Sequence, residues 1–204
     1  MPTPFRSRIA RAGVALLGAV ATLATLATRA SAQPDPRPTL PAAALARAVQ
    51  EVEALDALRS SLARTFASGG VAATDSTFAQ VCKPVKAQAM RVAQQQGWLV
   101  AQLAERHRNP DNAPDAEARR VQREMQRDPS LVSLARATTY RGKAGTRYFR
   151  RITVETACLA CHGAREARPA FVQQHYPADK AYGFAAGDLR GIYSVFIPDS
   201  ARRE

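Results

Sequence analysis

The sequence predicts an α+β protein in which N-terminal helices pack on a small antiparallel sheet. Three observations indicate this class. Apolar residues recur every three or four positions in the first half of the chain, as they do along one face of a helix. Segments rich in Val, Thr, Tyr, Phe and Ile follow in the second half, which is typical of strands. With 204 residues, 46% of them hydrophobic, the chain is long enough to bury one core.

The first 32 residues read as an export signal and not as part of the fold. A basic start precedes an uncharged run over Ala12–Ala27, and Ala30-Ser31-Ala32 fits a signal-peptidase site. Cleavage there gives a mature, periplasmic chain that begins at Gln33. The uncharged run is short for a hydrocarbon core of ~30 Å. We therefore favour a cleaved signal peptide, with an uncleaved membrane anchor as the alternative.

The basic charge of the chain is diffuse. The formal charge is +12, and removal of the four arginines within residues 1–32 lowers it to +8. The basic residues do not cluster with interleaved aromatic residues, which is the pattern that nucleic-acid binding would need. We therefore expect no nucleic-acid partner, and the charge instead favours anionic lipid or an acidic partner.

A Pro-rich linker, Gln33–Pro38, leads into the first predicted helix, which Ser68-Gly69-Gly70 ends. Apolar side chains form a stripe along one face of this helix. The stripe consists of Leu45, Val49, Val52, Leu55, Leu58, Leu62 and Phe66. Its simplest role is packing against the rest of the core.

A second helix is predicted from caps at Asp75-Ser76-Thr77 to about Arg106. Pro84 interrupts its first turns, so either the helix begins near Pro84 or a kink lies just after Cys82. If it begins at Pro84, the free amide groups there and the charge of Lys83 would help to hold a Cys82 thiolate.

A loop over residues 107–114 and a short charged helix, Asp115 to about Arg127, separate the second helix from the strands. The strands are predicted over Leu131–Tyr140, Arg147–Val154 and Gly191–Ile197, and the segment Arg141–Gly145 suits a hairpin turn between the first two.

The segment Cys158-Leu159-Ala160-Cys161-His162 lies between the second and third predicted strands. C-x-x-C-H is the attachment signature of c-type haem: two thiols one helical turn apart bond to the haem, and the adjacent His binds the iron. Scrambling a chain with this composition gives the spacing in roughly one case in a thousand. A thioredoxin-like dithiol and half of a zinc site are the competing interpretations. We therefore predict one covalently attached haem c.

The second axial ligand of such an iron decides what the haem does, because it sets the reduction potential and the access of small molecules. Sequence spacing leaves the choice open. The candidates are Cys82, Met90, Met125, His107, His175 and an open position. Several cationic and polar residues precede the motif in the second predicted strand, and one or two of them are candidates to hold haem propionates. These are Arg147, Tyr148, Arg150 and Arg151.

Five motifs, in this order along the chain, resemble a family of periplasmic c-type haem domains with a PAS-like fold, long described as a domain of unknown function. The resemblance covers about Phe78 to Ile197. The motifs are Val81-Cys82-Lys83-Pro84, Arg108-Asn109-Pro110-Asp111-Asn112-Ala113-Pro114-Asp115, Cys158-Leu159-Ala160-Cys161-His162-Gly163, Tyr176-Pro177-Ala178-Asp179-Lys180-Ala181-Tyr182-Gly183 and Gly187-Asp188-Leu189-Arg190-Gly191.

This resemblance implies a PAS-like haem domain over residues 76–204, after a signal peptide (1–32) and a linker with one helix (33–75). Domains of this family occur alone or as extracytoplasmic sensors of membrane signalling proteins. Their haem can carry His and Cys as axial ligands. Carried over to this sequence, His162 is the proximal ligand and Cys82 the distal one.

Two classes of function follow from these observations. The first is redox or gas sensing, or single-electron transfer, through a His/Cys-ligated haem. It implies an unidentified redox or signalling protein and the cytochrome c maturation machinery as partners, with a small gas as a candidate ligand. The second is a haem enzyme, such as a peroxidase or a thiol oxidoreductase. The sequence shows no His-Arg pair placed for acid-base chemistry, so we expect the first class.

Overall fold

A computed structural model of the protein describes residues 42–69 and 74–199. The predicted signal peptide, residues 1–32, and the linker Gln33–Pro38 lie outside the described residues, so export and processing stay predictions. Within the described part of the chain, no helix is long and apolar enough to cross a membrane.

A four-stranded antiparallel sheet lies at the centre of the described fold and confirms the predicted α+β class. Its order is β1-β4-β3-β2, so the last strand in sequence lies between the first and the third. The two residues of the β2–β3 turn, Arg141 and Gly142, have positive φ angles of 50° and 76°, which suit the twist of a tight hairpin. The strands are β1 (Leu99–Leu103), β2 (Ser133–Tyr140), β3 (Lys143–Thr153) and β4 (Leu189–Pro198).

Helices cover both faces of this sheet. They are α1 (Ala42–Ser68), α2 (Asp75–Gln96), α3 (Ala116–Arg127), α4 (Leu159–His162) and α5 (Ala170–His175). On one face, Val52 of α1 and Val92 of α2 belong to the same buried cluster as Tyr148. On the other face, Val121 of α3 packs in a cluster with Phe149. Neighbouring residues of β3 thus contribute to different cores, as the two-residue period of a strand requires.

The second helix is shorter than the sequence predicted. It begins after Thr74, whose hydroxyl accepts a hydrogen bond from the Thr77 amide. It ends before Gly97, which adopts the left-handed conformation, with φ 65°, that commonly terminates helices. The prediction that the helix continues to Arg106 is therefore wrong. Leu99–Leu103 forms strand β1 and pairs with β4 instead.

Pro84 lies inside α2 and does not begin it. The first of the two alternatives, a helix start near Pro84, is therefore wrong. Because proline has no amide hydrogen, the carbonyl of Gln80 lacks its usual helical donor. Cys82 lies in the interior of the helix, so its neighbouring amides take part in the helical hydrogen bonds and are not free to hold a thiolate.

Arg147 ties α3 to the sheet through a buried network. Its side chain is 1% exposed. The guanidinium donates to the two carboxylate oxygens of Asp115 at 3.0 and 2.7 Å, to Glu117 at 3.3 Å and to the Ser194 hydroxyl at 2.8 Å. Asp115 also caps α3 by accepting a hydrogen bond from the Ala118 amide. The arginine thus serves the fold on the face of the sheet that carries α3.

Arg147→Ala is expected to lower the free energy of unfolding by roughly 3–5 kcal/mol, because it leaves two partly buried carboxylates without their cation. Denaturant unfolding followed by circular dichroism measures this change. Arg136→Ala is the matched control: its ion pair with Glu124 is partly exposed, so the expected loss is at most about 1 kcal/mol. Equal losses in the two variants would contradict the prediction.

The same network predicts a dependence on pH. Burial of Asp115 disfavours its charge, but hydrogen bonds from Arg147 and from the Ala118 amide outweigh burial and lower its pKa. A carboxylate of this kind stabilises the fold above its unfolded pKa of about 3.9, and the contribution is lost as the pH falls through the lower, folded pKa. We expect the difference in stability between wild type and Arg147→Ala to shrink in that acidic range.

Candidate functional site

A cavity of about 580 Å³ lies between α1, α2, β1 and the Cys-x-x-Cys-His segment. Its volume falls within the range of about 300–1,000 Å³ that is usual for pockets that bury a small molecule. Apolar side chains form much of the wall, among them Val81, Val100, Ile152, Val154 and Phe171. All four predicted site residues line this cavity: Cys82, Cys158, Cys161 and His162.

The Cys-x-x-Cys-His segment folds as two short helical turns. Thr156–Cys158 forms a turn of 3-10 helix, and α4 continues it through His162. A spacing of three residues places Cys158 and Cys161 on neighbouring turns of the same side. Both thiols are half-buried and neither forms a disulfide, so both are free to bond to a molecule in the cavity.

His162 is held in one tautomer. Its Nδ1 lies 2.7 Å from the carbonyl oxygen of Ala181, which can only accept a hydrogen bond, so Nδ1 carries the proton and donates it. Arg108 Nη2, 3.4 Å from the same nitrogen, is also a donor and cannot bond to a protonated Nδ1. The Nε2 lone pair is therefore left for another partner. A ring N–H bonded to a backbone carbonyl is the usual support of a metal-binding histidine.

The electrostatic surroundings keep His162 neutral. Burial, together with the positive charges of Arg190 and Arg108, holds the pKa of His162 well below its usual range, although the hydrogen bond to Ala181 acts in the opposite direction. At neutral pH the imidazole is therefore unprotonated at one nitrogen, which is the form that binds metals.

The loop after α5 packs against the histidine. The Phe184 amide donates to the His162 carbonyl at 3.0 Å, and the Phe184 ring meets the imidazole edge to face at 6.2 Å between centroids. Gly183, with φ 69°, donates to the carbonyl of Gly163 at 2.5 Å. The guanidinium of Arg106 lies over the Phe184 ring, 3.7 Å from its centroid. The backbone and the ring of His162 are thus both fixed by one loop.

Cys82 reaches the cavity from α2 and is exposed to it. Desolvation raises the pKa of Cys82 to about 11, although the charge of Arg108 opposes this shift. The expectation that local amides and Lys83 help to hold a thiolate depended on a helix that begins at Pro84, and α2 does not meet that condition. The thiols of Cys158 and Cys161 lie close enough to Cys82 to raise the same pKa further.

The other candidate axial ligands differ in their access to the cavity. Met90, which is 62% exposed, and His107 both line it. Met125 belongs to α3 and is buried on the other face of the sheet. His175 lies beside Asp75, with 3.7 Å between Nδ1 and a carboxylate oxygen, and is not among the residues that line the cavity. In residues 42–69 and 74–199, no three His, Cys, Asp or Glu side chains cluster as ligands for a metal ion.

The arginines predicted to hold propionates do not line the cavity, so that expectation is wrong. Arg147 bonds to Asp115 on the α3 side, Arg150 pairs with Glu53 and Asp56, and Arg151 donates to the carbonyl of Pro129. Tyr148, predicted with them, packs in the core formed with α1 and α2. These side chains alternate along β3, and each already has a partner in the fold.

Other basic residues take their place at the cavity. The described lining residues include five Lys or Arg side chains and no Asp or Glu: Arg59, Lys83, Lys86, Arg108 and Arg190. Burial, followed by repulsion from Arg108, lowers the pKa of Arg190 to about 10. Arg108 Nε is buried and makes no hydrogen bond, but it forms an ion pair with a carboxylate oxygen of Asp179 at 3.5 Å. Sequence reasoning missed the roles of Arg108 and Arg190, although both lie in the motifs that carry the family resemblance.

A family model described as Tll0287-like matches residues 37–198. The chain belongs to the Tll0287-like family. It is also similar to a solved structure, described as the crystal structure of the cyanobacterial heme-protein Tll0287, with 42% sequence identity and a TM-score of 0.69. This match covers 77% of the present chain and 96% of that one. No curated protein matches the sequence.

Both comparisons confirm the resemblance that the five motifs indicated. The Tll0287-like match runs from before α1 to the end of β4. It therefore includes every residue that lines the cavity, from Arg59 to Gly191. The whole candidate site, and not only the Cys-x-x-Cys-His segment, belongs to the shared domain.

Proposed function

We propose that this protein binds one haem c, attached through Cys158 and Cys161, and acts in redox or gas sensing or in single-electron transfer. The arrangement of His162 carries the proposal. Its neutral imidazole donates a hydrogen bond through Nδ1 and keeps the Nε2 lone pair unshared, and it lines a cavity beside two thiols that form no disulfide. The related protein Tll0287 is described as a heme-protein, which supports the same ligand class here.

The cavity suits haem in size, polarity and charge. Haem is flat and mostly apolar but carries two propionate carboxylates. Apolar walls would contact the ring, and the basic side chains would pair with the carboxylates. Arg108 and Arg190 are the strongest candidates, because both line the cavity, and burial together with repulsion from Arg108 lowers the pKa of Arg190. A bound anion would offset the repulsion between these two guanidinium groups.

His162 and Cys82 are the proposed axial ligands. His162 would bind through Nε2, with the Ala181 carbonyl holding the ring. Cys82 would lose its proton on binding, because a thiol that coordinates a metal is deprotonated even where the surroundings alone favour the thiol. When bound, haem supplies an iron that changes oxidation state by one electron and takes a gas where an axial position opens.

Two protein ligands favour sensing or electron transfer over catalysis. If Cys82 occupies the second axial position, a peroxide or thiol substrate has no open position on the iron. Two arginines flank His107 in sequence, and both have partners elsewhere. Arg108 donates to the Cys161 carbonyl at 2.6 Å, and the guanidinium of Arg106 lies over the Phe184 ring. A peroxidase or thiol oxidoreductase is therefore the weaker proposal. Any signal or electron would pass to a separate redox or signalling protein.

An absorption spectrum of the purified protein, with and without dithionite and carbon monoxide, tests this function. We expect a c-type spectrum, a low-spin ferric state with a thiolate ligand and little binding of carbon monoxide to the ferrous form. Release of the pigment by acidified organic solvent would contradict covalent attachment. A ferric high-spin spectrum that changes readily with added peroxide would instead support the enzyme.

We also propose that the chain is exported and that the mature protein begins at Gln33, because Ala30-Ser31-Ala32 follows a basic start and an uncharged run. Cell fractionation and intact mass of the full-length gene product measure both features, with the protein expected in the periplasmic fraction. A mass that includes residues 1–32, with the protein in the membrane pellet, would show an uncleaved anchor and contradict cleavage.

A further inference from the structure

Asp179 is a buried carboxylate in the loop between α5 and β4, and its side chain has no exposed surface. A charge in such a place persists only with well-placed partners. Arg168 Nη1 donates to one carboxylate oxygen at 3.0 Å. The other oxygen accepts from the Ala181 amide at 2.8 Å and lies 3.5 Å from Arg108 Nε. All three partners come from segments that surround the Cys-x-x-Cys-His motif.

The first connection runs through Ala181. Its amide donates to Asp179, and its carbonyl oxygen accepts the Nδ1 proton of His162 at 2.7 Å. Because both groups belong to one residue, the carboxylate fixes the backbone whose oxygen meets the imidazole. The side chain of Ala181 is fully buried, which limits other ways of turning this backbone.

The second connection runs through Arg108. Its side chain is 9% exposed, and Nη2 donates to the carbonyl of Cys161 at 2.6 Å. Arg190 is close enough to repel it. The negative charge of Asp179 offsets this repulsion and holds Arg108 against the motif.

We propose that Asp179 is a positioning residue for His162: its carboxylate holds the Ala181 carbonyl against the imidazole on one side and Arg108 against the Cys161 carbonyl on the other. The proposal depends on the proposed function only in taking iron as the partner of His162. The fixed tautomer and orientation are properties of the chain itself.

The test measures how fast the Nδ1 proton of His162 exchanges with solvent, by NMR of the full chain labelled with ¹⁵N-histidine. The measurement is made on the full chain without iron, so the result does not depend on haem binding. In Asp179→Ala we expect exchange to become about tenfold faster, equivalent to about 1.4 kcal/mol. Asp179→Asn keeps an oxygen for the Ala181 amide but loses the charge, so an intermediate rate is expected.

Asp188→Ala is the matched control. Asp188 lies in the same loop and accepts a hydrogen bond from the Ala185 amide, but it is exposed and contacts neither Ala181 nor Arg108. In this variant the Nδ1 proton of His162 should exchange at the wild-type rate. A wild-type rate in Asp179→Ala would overturn the proposal. If Asp179→Ala does not fold, the test uses Asp179→Asn instead, and a wild-type exchange rate in that variant would likewise overturn the proposal.

The reduction potential gives a second readout in protein that carries haem. Asp179→Asn removes a negative charge near His162 and is expected to raise the potential, whereas Asp188→Ala should leave it unchanged. An unchanged reduction potential in Asp179→Asn would contradict a role for the negative charge of Asp179. Haem staining of wild-type protein on a denaturing gel reports separately on the proposed function, so failure of the two proposals can be told apart.

Discussion

Replacing both Cys158 and Cys161 with alanine is expected to abolish haem staining of the polypeptide on a denaturing gel. The protein is produced with the cytochrome c maturation machinery and compared with wild type at equal amounts. Each thiol supplies one thioether bond, so the double variant has no covalent link to the cofactor. Cys158→Ala alone should leave one thioether or none.

Cys82→Ala is the control for this experiment, because it removes the third cysteine of the chain and leaves the attachment pair intact. It should keep full staining. His162→Ala should keep some attached haem while losing iron coordination on that side. Loss of staining in wild-type protein that is exported and full-length would contradict covalent attachment altogether.

Cys82→Ala is expected to have the largest effect on the iron itself. Loss of a thiolate ligand should convert the ferric spectrum from low spin towards high spin and raise the reduction potential, because an anionic sulfur stabilises the ferric state. The ferrous form should bind carbon monoxide more readily, since one axial position is then open. Optical spectra and a potentiometric titration of the purified variant measure these changes.

Met90→Ala provides the comparison, because Met90 is also on α2 and lines the same cavity. It should keep the wild-type spectrum and potential. If Cys82→Ala also matches wild type, Cys82 is not the ligand. Met90 and His107 would then be tested next, because the structure places both at the cavity and leaves His175 outside it.

Helices α1 and α3 and strands β2, β3 and β4 were readable from the sequence because they depend on local patterns. The stripe through Val52 and the turn at Arg141 are examples, since the periodicity or the turn geometry is encoded in neighbouring residues. The extent of α2 was not readable in the same way. Leu99–Leu103 carries apolar residues that fit a helix or a strand, and its pairing with β4 is a contact between distant segments.

The candidate site also contains residues that local sequence predicts and residues that only the folded structure brings together. Cys158, Cys161 and His162 are adjacent in sequence, so their spacing alone indicates haem. Cys82 follows from the family resemblance, and the structure places it at the same cavity. The partner of His162 is the backbone carbonyl of Ala181, which leaves no side-chain signature in the sequence.

The sequence analysis chose the wrong arginines as candidates to hold haem propionates, for a related reason. Arg147, Arg150 and Arg151 are close to the motif in sequence, but the alternation of β3 and the carboxylates of other elements draw them elsewhere. Arg108 and Arg190 come from segments far apart in the chain. Proximity in sequence is a poor guide to which charges meet in a folded cavity.

The strand order β1-β4-β3-β2 has a consequence for how the protein folds. Strand β1 cannot pair until β4, at the far end of the described chain, has formed between it and β3. Long-range pairing of this kind is slow compared with the closing of a hairpin such as β2–β3. The cavity includes Leu103 of β1 and Gly191 of β4, so its wall is complete only after that late step. Until then Cys158 and Cys161 belong to an open chain in which both thiols are accessible from solvent, and the pairing of β1 with β4 ends that interval.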